Sequence, residues 1–268
     1  MKNALFSVLL IIFSFEAHAE IPFSLDWKLD SPIFLIALSE TALSLTLPKA
    51  LDYGELENKK GDLSSVPAFD RWAAHNYKKS FDIAGDATLA LSLALPVAVY
   101  SASYFSKKID FSDAFTLAVL YAESFFLTQG TCGLLKLAAK RDRPFLYYDE
   151  WDSGALTDGD AHFSFPSSHT ADAFMSAAFL SYTFPRVFPD SKLQIPVIAG
   201  SYAIAFAVGA FRIASANHFP TDVLAGGAIG TLFGFAVPFV HSILFEKKSQ
   251  KTPELSLTPF GFFARVHF

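Results

Sequence analysis

The chain has 268 residues, of which 52% are hydrophobic and 30 are phenylalanine, with a mean hydropathy of +0.34 and a formal net charge of −5. That apolar content is high for a soluble domain and suits a small helical membrane protein, while the mild acidity argues against a nucleic-acid partner. A lone Cys132 inside an apolar run excludes an intrachain disulfide framework and a cysteine-built metal site.

Residues 1–19 read as a secretory signal: Lys2, an apolar run from Ala4 to Phe15, then Ala17-His18-Ala19 ahead of Glu20, with cleavage expected after Ala19. Six apolar stretches follow, at about 31–48, 83–105, 113–135, 169–187, 195–211 and 223–245, most of them near the roughly 20 residues a bilayer span needs. Glu40 and Glu123 interrupt the first and third and are read as helix-packing hydrogen bonders, since neither lies in a chemically suggestive cluster. In the sixth, Asp222, Gly226, Gly230 and Gly234 recur every four residues, so the glycines share one helix face and admit a close neighbour. The loop 49–79 mixes both charges and carries no recognisable chemistry, and the acidic, aromatic segment 145–162 reads as a lid or rim. From Phe260 to Phe268 the tail alternates with the two-residue period of a strand, although the chain lacks the repeated alternation of a barrel. The expected fold is therefore all-α: a membrane-embedded helical bundle of five or six spans with a short C-terminal strand. Its parts would be a signal peptide at 1–19, an N-terminal apolar segment and extracytoplasmic loop at 20–81, the bundle at 82–246 and a tail at 247–268.

Three polar islands interrupt the apolar sequence. In Lys136-Leu-Ala-Ala-Lys-Arg-Asp-Arg143-Pro144, Lys136 and Arg143 are two helical turns apart, so both are expected on one helix face with Lys140 between them. Pro144 would end that helix and leave the Arg143 fork at its mouth, where it suits two phosphate oxygens. In Phe165-Pro-Ser-Ser-His169, Pro166 marks a helix start whose free N–H groups, extended by Ser167 and Ser168, form an anion cradle. His169 in that first turn can give a proton to a leaving oxygen. In Arg212-Ile-Ala-Ser-Ala-Asn-His218-Phe-Pro-Thr-Asp222, Arg212 closes a helix and Asp222 follows His218 by four residues, placed to hold the imidazole by one nitrogen and leave the other as a nucleophile. Zinc could bind His169, His218 and Asp222, but a lysine or arginine near each would repel a cation and favour an anion.

Order and spacing together resemble the type 2 phosphatidic acid phosphatase / vanadium haloperoxidase superfamily, whose signature is Lys-x6-Arg-Pro, Pro-Ser-Gly-His and Ser-Arg-x5-His-x3-Asp. The resemblance covers the C-terminal half and implies that His218 is the nucleophile, Asp222 its orienting partner and His169 the general acid. It assigns phosphate binding to Lys136, Arg143, Ser167, the Ser168 amide and Arg212. Ser168 stands where the family has glycine, and Phe211 where it has serine. The function implied is a metal-independent membrane phosphatase acting on a lipid phosphate monoester or diphosphate through a phosphohistidine, with no cofactor. A periplasmic acid phosphatase on soluble esters, a haloperoxidase and a non-catalytic lipid-binding protein are the alternatives.

Loop charge predicts the orientation. Lys107, Lys108, Arg186, Lys192, Lys247, Lys248 and Lys251 lie opposite the islands, which puts the islands outside a bacterial inner membrane, facing the periplasm or exterior. A cleaved signal plus a spanning 31–48 would reverse this, so either 31–48 lies along the membrane or the signal stays uncut on the cytoplasmic side.

Overall fold

The computed structural model describes residues 21–50, 60–148, 161–251, 254–258 and 261–265. The signal segment 1–19 and the acidic stretch 149–160 lie outside the described residues. Each of the six apolar stretches is a helix: α1 Trp27–Ala50, α2 Lys79–Phe105, α3 Phe111–Ala139, α4 Ser168–Val187, α5 Gln194–Ala214 and α6 Pro220–Lys251. Antiparallel strands β1 Glu254–Thr258 and β2 Gly261–Arg265 pair beyond α6, so the strand expected in the tail is one half of a hairpin.

Local signals set several ends. Asp110 and Asp113 form a reciprocal capping box at the start of α3, satisfying two N–H groups that the helix leaves open. Ser167 caps α4 by accepting from the Thr170 N–H at 3.4 Å, and Pro220 opens α6 with Asp222 in its first turn. The end of α3 corrects one expectation. The helix stops at Ala139 because Lys140 takes a left-handed conformation with φ 44°, so Arg143 lies in the following connection and not on the face shared with Lys136. There it precedes a short 3-10 turn, Pro144–Tyr147.

Helix α4 is the post of the bundle, touched by α2, α3, α5 and α6. Ala171, Ala173, Met175, Ala177, Ala178, Phe179, Leu180 and Phe184 are all buried along it. The glycine face of α6 packs onto α4 at backbone distance. A Cβ on Gly226 would strike the Ser167 carbonyl, one on Gly230 the Ala171 carbonyl, and one on Gly234 the Met175 carbonyl. Only glycine allows two helices to approach so closely.

Helix α1 runs beside α3 in the same direction. Its Asp30 meets the level of Glu123, Glu40 abuts Gly130, and Ser44 abuts Gly133. The helix over 31–48 is therefore aligned with α3 and packed along it. Among the described residues three helices, Lys79–Phe105, Gln194–Ala214 and Pro220–Lys247, are long and apolar enough to cross a membrane by length and composition. Their outward faces present Ile83, Leu91, Val97, Ile195, Phe206, Leu224, Leu232 and Phe239. The molecule is a membrane-embedded helical bundle. The enclosed α4 is less apolar because its Ser, Thr and Asp side chains meet protein instead of lipid.

Candidate active site

All three islands converge at one end of the bundle, where α3 and α5 finish and α2, α4 and α6 begin. His218 sits between α5 and α6, and only 1% of it is exposed. Its Nδ1 lies 2.7 Å from the Ser164 carbonyl oxygen. A carbonyl only accepts, so Nδ1 carries the proton and the neutral ring keeps its lone pair on Nε2.

Asp222 stands behind this contact. Its Oδ2 is 3.8 Å from His218 Nδ1, beyond hydrogen-bond distance. That oxygen instead accepts from the Ser164 hydroxyl at 2.6 Å and the Phe219 N–H at 2.8 Å, while Oδ1 accepts from Arg141 at 2.6 Å. Asp222 therefore reaches the imidazole through Ser164 and through the turn that carries the histidine. A buried Asp70 closes the frame, accepting from Arg141 at 2.8 Å and from both the N–H and hydroxyl of Thr221. The Arg141 guanidinium also stacks 4.2 Å over the Phe219 ring.

The cationic groups form a chain around His218. Arg143, buried, donates to Asn217 Oδ1 at 2.6 Å, and Asn217 Nδ2 donates to Asp82 at 2.7 Å. Arg212, also buried, donates through one Nη to Asp82 at 2.5 Å and Asp86 at 3.4 Å. Its Nε is shut off from solvent with no acceptor among the described residues. Leaving a buried donor unsatisfied costs about 1–3 kcal/mol, so that edge of the guanidinium favours an incoming oxyanion. His169, in the first turn of α4, meets Asp86 through Nε2 at 3.0 Å. Lys136 lies in the last turn of α3, half-buried, and Lys140 is exposed.

Burial first, then the charges of Arg143, Arg212 and Lys136, hold His218 well below the ordinary histidine value. The imidazole is thus neutral at neutral pH. The island residues are brought together, with differences in detail. The Ser167 hydroxyl is occupied as the α4 cap and touches Thr170 Oγ1 at 2.9 Å, while its N–H donates to the Asp222 carbonyl. Ser168 is the first residue of α4, and Phe211 stacks on Phe81 with ring centres 6.3 Å apart, pointing its bulk at α2.

Several members of the site are not among the residues singled out in the sequence. Asp82 and Asp86 are four apart in the opening turns of α2, an acidic pair at a helix start that a pattern beginning at residue 83 cuts in two. Ser164, Arg141 and Asn217 sit inside or beside the islands, where the signature residues draw attention away from them. Asp70 has no local signal, because its partners lie 71 and 151 residues away.

Residues 117–245 match the model of the PAP2 superfamily. The chain is 34% identical over 89 residues to a lipid A 1-phosphatase of Porphyromonas gingivalis, covering 33% of this chain and 19% of that protein. It is 36% identical over 81 residues to phosphatidylglycerophosphatase B of Bacillus subtilis, covering 29% and 39% respectively. The chain thus spans well under half the length of these two relatives. A crystal structure of a transmembrane PAP2 type phosphatidylglycerolphosphate phosphatase from Bacillus subtilis superposes with a TM-score of 0.46 at 22% identity, covering 83% of this chain and 98% of that one. The PAP2 superfamily model thus falls on the helices that carry the three islands, and over residues 117–245 the chain is similar to that family.

Proposed function

We propose that the protein is a membrane phosphatase that hydrolyses the phosphate monoester or diphosphate of a lipid. The observation that carries this is the Nδ1 contact of His218 with the Ser164 carbonyl, which leaves a lone pair on Nε2 of a buried, neutral ring under the influence of the buried Arg143 and Arg212 guanidinium groups. In the first step Nε2 attacks phosphorus, the P–N bond forms, and the P–O bond to the lipid breaks. In its imidazolium form His169, held by Asp86 through Nε2–H, gives the proton on its other nitrogen, Nδ1, to the departing oxygen. Arg143, Arg212 and Lys136, with the N–H groups at the start of α4, stabilise charge on the three equatorial oxygens. Water then attacks the phosphohistidine with His169 as base, the P–N bond breaks, and inorganic phosphate leaves. Metal is given no part in these steps.

A lipid substrate is favoured by the apolar faces of α2, α5 and α6 and by the lipid phosphatase names of the two relatives. Phosphate release by purified protein, followed over phosphatidate, phosphatidylglycerophosphate, undecaprenyl diphosphate, lipid A and a soluble aryl phosphate, tests this. One lipid is expected to exceed the soluble ester in kcat/KM by at least about 100-fold, because binding energy from the lipid is available to the reaction. Equal use of all five would favour a non-specific acid phosphatase. Release from none would leave a lipid-binding protein, and bromide oxidation with vanadate would mark a haloperoxidase.

The site is proposed to face the periplasm from a bacterial inner membrane, because Lys107, Lys108, Arg186, Lys192 and Lys247 gather at the opposite end. As α1 runs parallel to α3, that polarity starts α1 on the cytoplasmic side, in keeping with an uncut leader. A cysteine at position 60, hydrogen-bonded neighbour of the site-end turn through Gly61 and Leu146, is expected to react with an impermeant maleimide in intact cells. The buried Cys132 supplies no background. Labelling only after the inner face is opened would reverse the orientation.

A further inference from the structure

A second polar cluster lies deep in the bundle, roughly 20–30 Å from the phosphate end along the α3 and α6 axes at 1.5 Å per residue. Asp30 of α1, Glu123 of α3 and His241 of α6 each turn one ligand-type atom inward, and these atoms all lie within 4.8 Å of one another. His241 Nε2 is 3.0 Å from Glu123 Oε2 and 3.6 Å from Asp30 Oδ1. Glu123 and His241 are fully buried, and the Asp30 side chain is 14% exposed.

Two features separate this cluster from ordinary helix packing. His241 Nδ1 lies 3.0 Å from the Ser24 carbonyl, which fixes the proton on Nδ1 and turns the Nε2 lone pair of the neutral ring toward both carboxylates. A backbone carbonyl on the far nitrogen is the usual companion of a metal-bound histidine. Second, Glu123 Oε1 is buried with no hydrogen-bond partner among the described residues, and so is the Ser24 hydroxyl. Two carboxylates and one imidazole also carry a net negative charge even when the ring is protonated, a poor state for the inside of a membrane protein.

We infer that Asp30, Glu123 and His241 bind a divalent cation of the zinc class. A tetrahedral zinc ion holds nitrogen and oxygen ligands at about 2.0–2.2 Å, and therefore about 3.3–3.6 Å from one another, close to the separations seen here. One nitrogen and two carboxylate oxygens suit zinc better than magnesium or calcium, which prefer all-oxygen shells. The ion joins α1 to α3 and α6 and ties in the segment before α1 through Ser24. Its role is structural: it closes the bundle where α1 leans on it, remote from the phosphate chemistry and independent of it.

Metal analysis of purified full-length protein is expected to find about one zinc per chain. After chelation, adding zinc chloride alone in detergent is expected to raise the melting temperature by about 5 °C or more, in a saturable way. Glu123→Gln keeps the side-chain volume and should abolish both the bound zinc and the shift, as should Asp30→Asn, while His169→Ala at the phosphate end should retain them. Protein without bound zinc and without a thermal response overturns the inference, in favour of a cluster held by an imidazolium. So does zinc that survives both carboxylate changes, or that disappears with His169→Ala.

Discussion

Replacing His218 with alanine is expected to lower turnover by about 10,000-fold or more, the scale seen when a nucleophile is removed from a unit that acts together. The argument rests on placement. The ring is buried, its Nδ1–H is engaged by the Ser164 carbonyl, and Arg143, Arg212 and Lys136 surround it with positive charge. The alanine variant leaves the Ser164 carbonyl without its donor, at a cost of about 1–3 kcal/mol, so melting temperature should be followed beside activity. His169→Ala supplies the companion measurement. If His169 protonates the leaving oxygen, its loss should weigh heavily on alkyl phosphates and lightly on p-nitrophenyl phosphate, whose leaving group needs no proton. His218→Ala should impair both equally. Substantial residual activity in the His218 variant, or equal effects of His169→Ala on the two substrates, would contradict the assigned roles.

The same surroundings set the acid dependence. A histidine held well below its ordinary value stays neutral, and so nucleophilic, as pH falls through the usual range near ~6.5. Loss of kcat/KM from His218 protonation, after correction for substrate ionisation, is therefore expected only at clearly lower pH. An acid limb at the ordinary value that is traced to His218 would show that burial and the guanidinium groups do not hold it as described.

Gly230→Leu is expected to destabilise the protein by about 3 kcal/mol or more, at or beyond the upper end for overpacking, because the obstacle is main chain and not a side chain that can turn aside. A Cβ at this position already overlaps the Ala171 carbonyl and would stand 2.8 Å from the Met175 nitrogen. Even alanine should therefore be destabilising, with leucine worse. The damage should reach activity without any contact with substrate, since the α4 and α6 ends carry Ser167 and Asp222, joined by a main-chain hydrogen bond of 3.1 Å. Gly200 is the control: nothing lies within 4 Å of a Cβ there, and Gly200→Leu should stay within about 0.5 kcal/mol of the parent. Parent-like melting and turnover in Gly230→Leu would show that the seam yields more easily than its geometry implies.

How much of this could be read from sequence depended on the range of each interaction. The helix starts at Ser168 and Pro220 and the glycine face of α6 are local patterns, and each appears where the residues put it. The end of α3 was misplaced, because a left-handed Lys140 has no side-chain signature of the kind that glycine gives. The orienting contact of Asp222 was legible as a spacing but not as a bond, since the Ser164 carbonyl that takes the Nδ1 proton comes from a connection 54 residues earlier. Asp82, Asp86 and Asp70 were invisible for the same reason: their meaning lies in partners far along the chain. Glu123 was read as a packing residue, and only folding sets it against His241, 118 positions away.

The seam between α4 and α6 leaves no room for one helix to slide on the other. The ends of those two helices must therefore travel as one rigid block, and movement beside them has to come from the connection between residues 60 and 78. Exchanging residues of that connection then alters access to the site without disturbing its frame, provided Asp70, which holds Arg141 and Thr221, is kept.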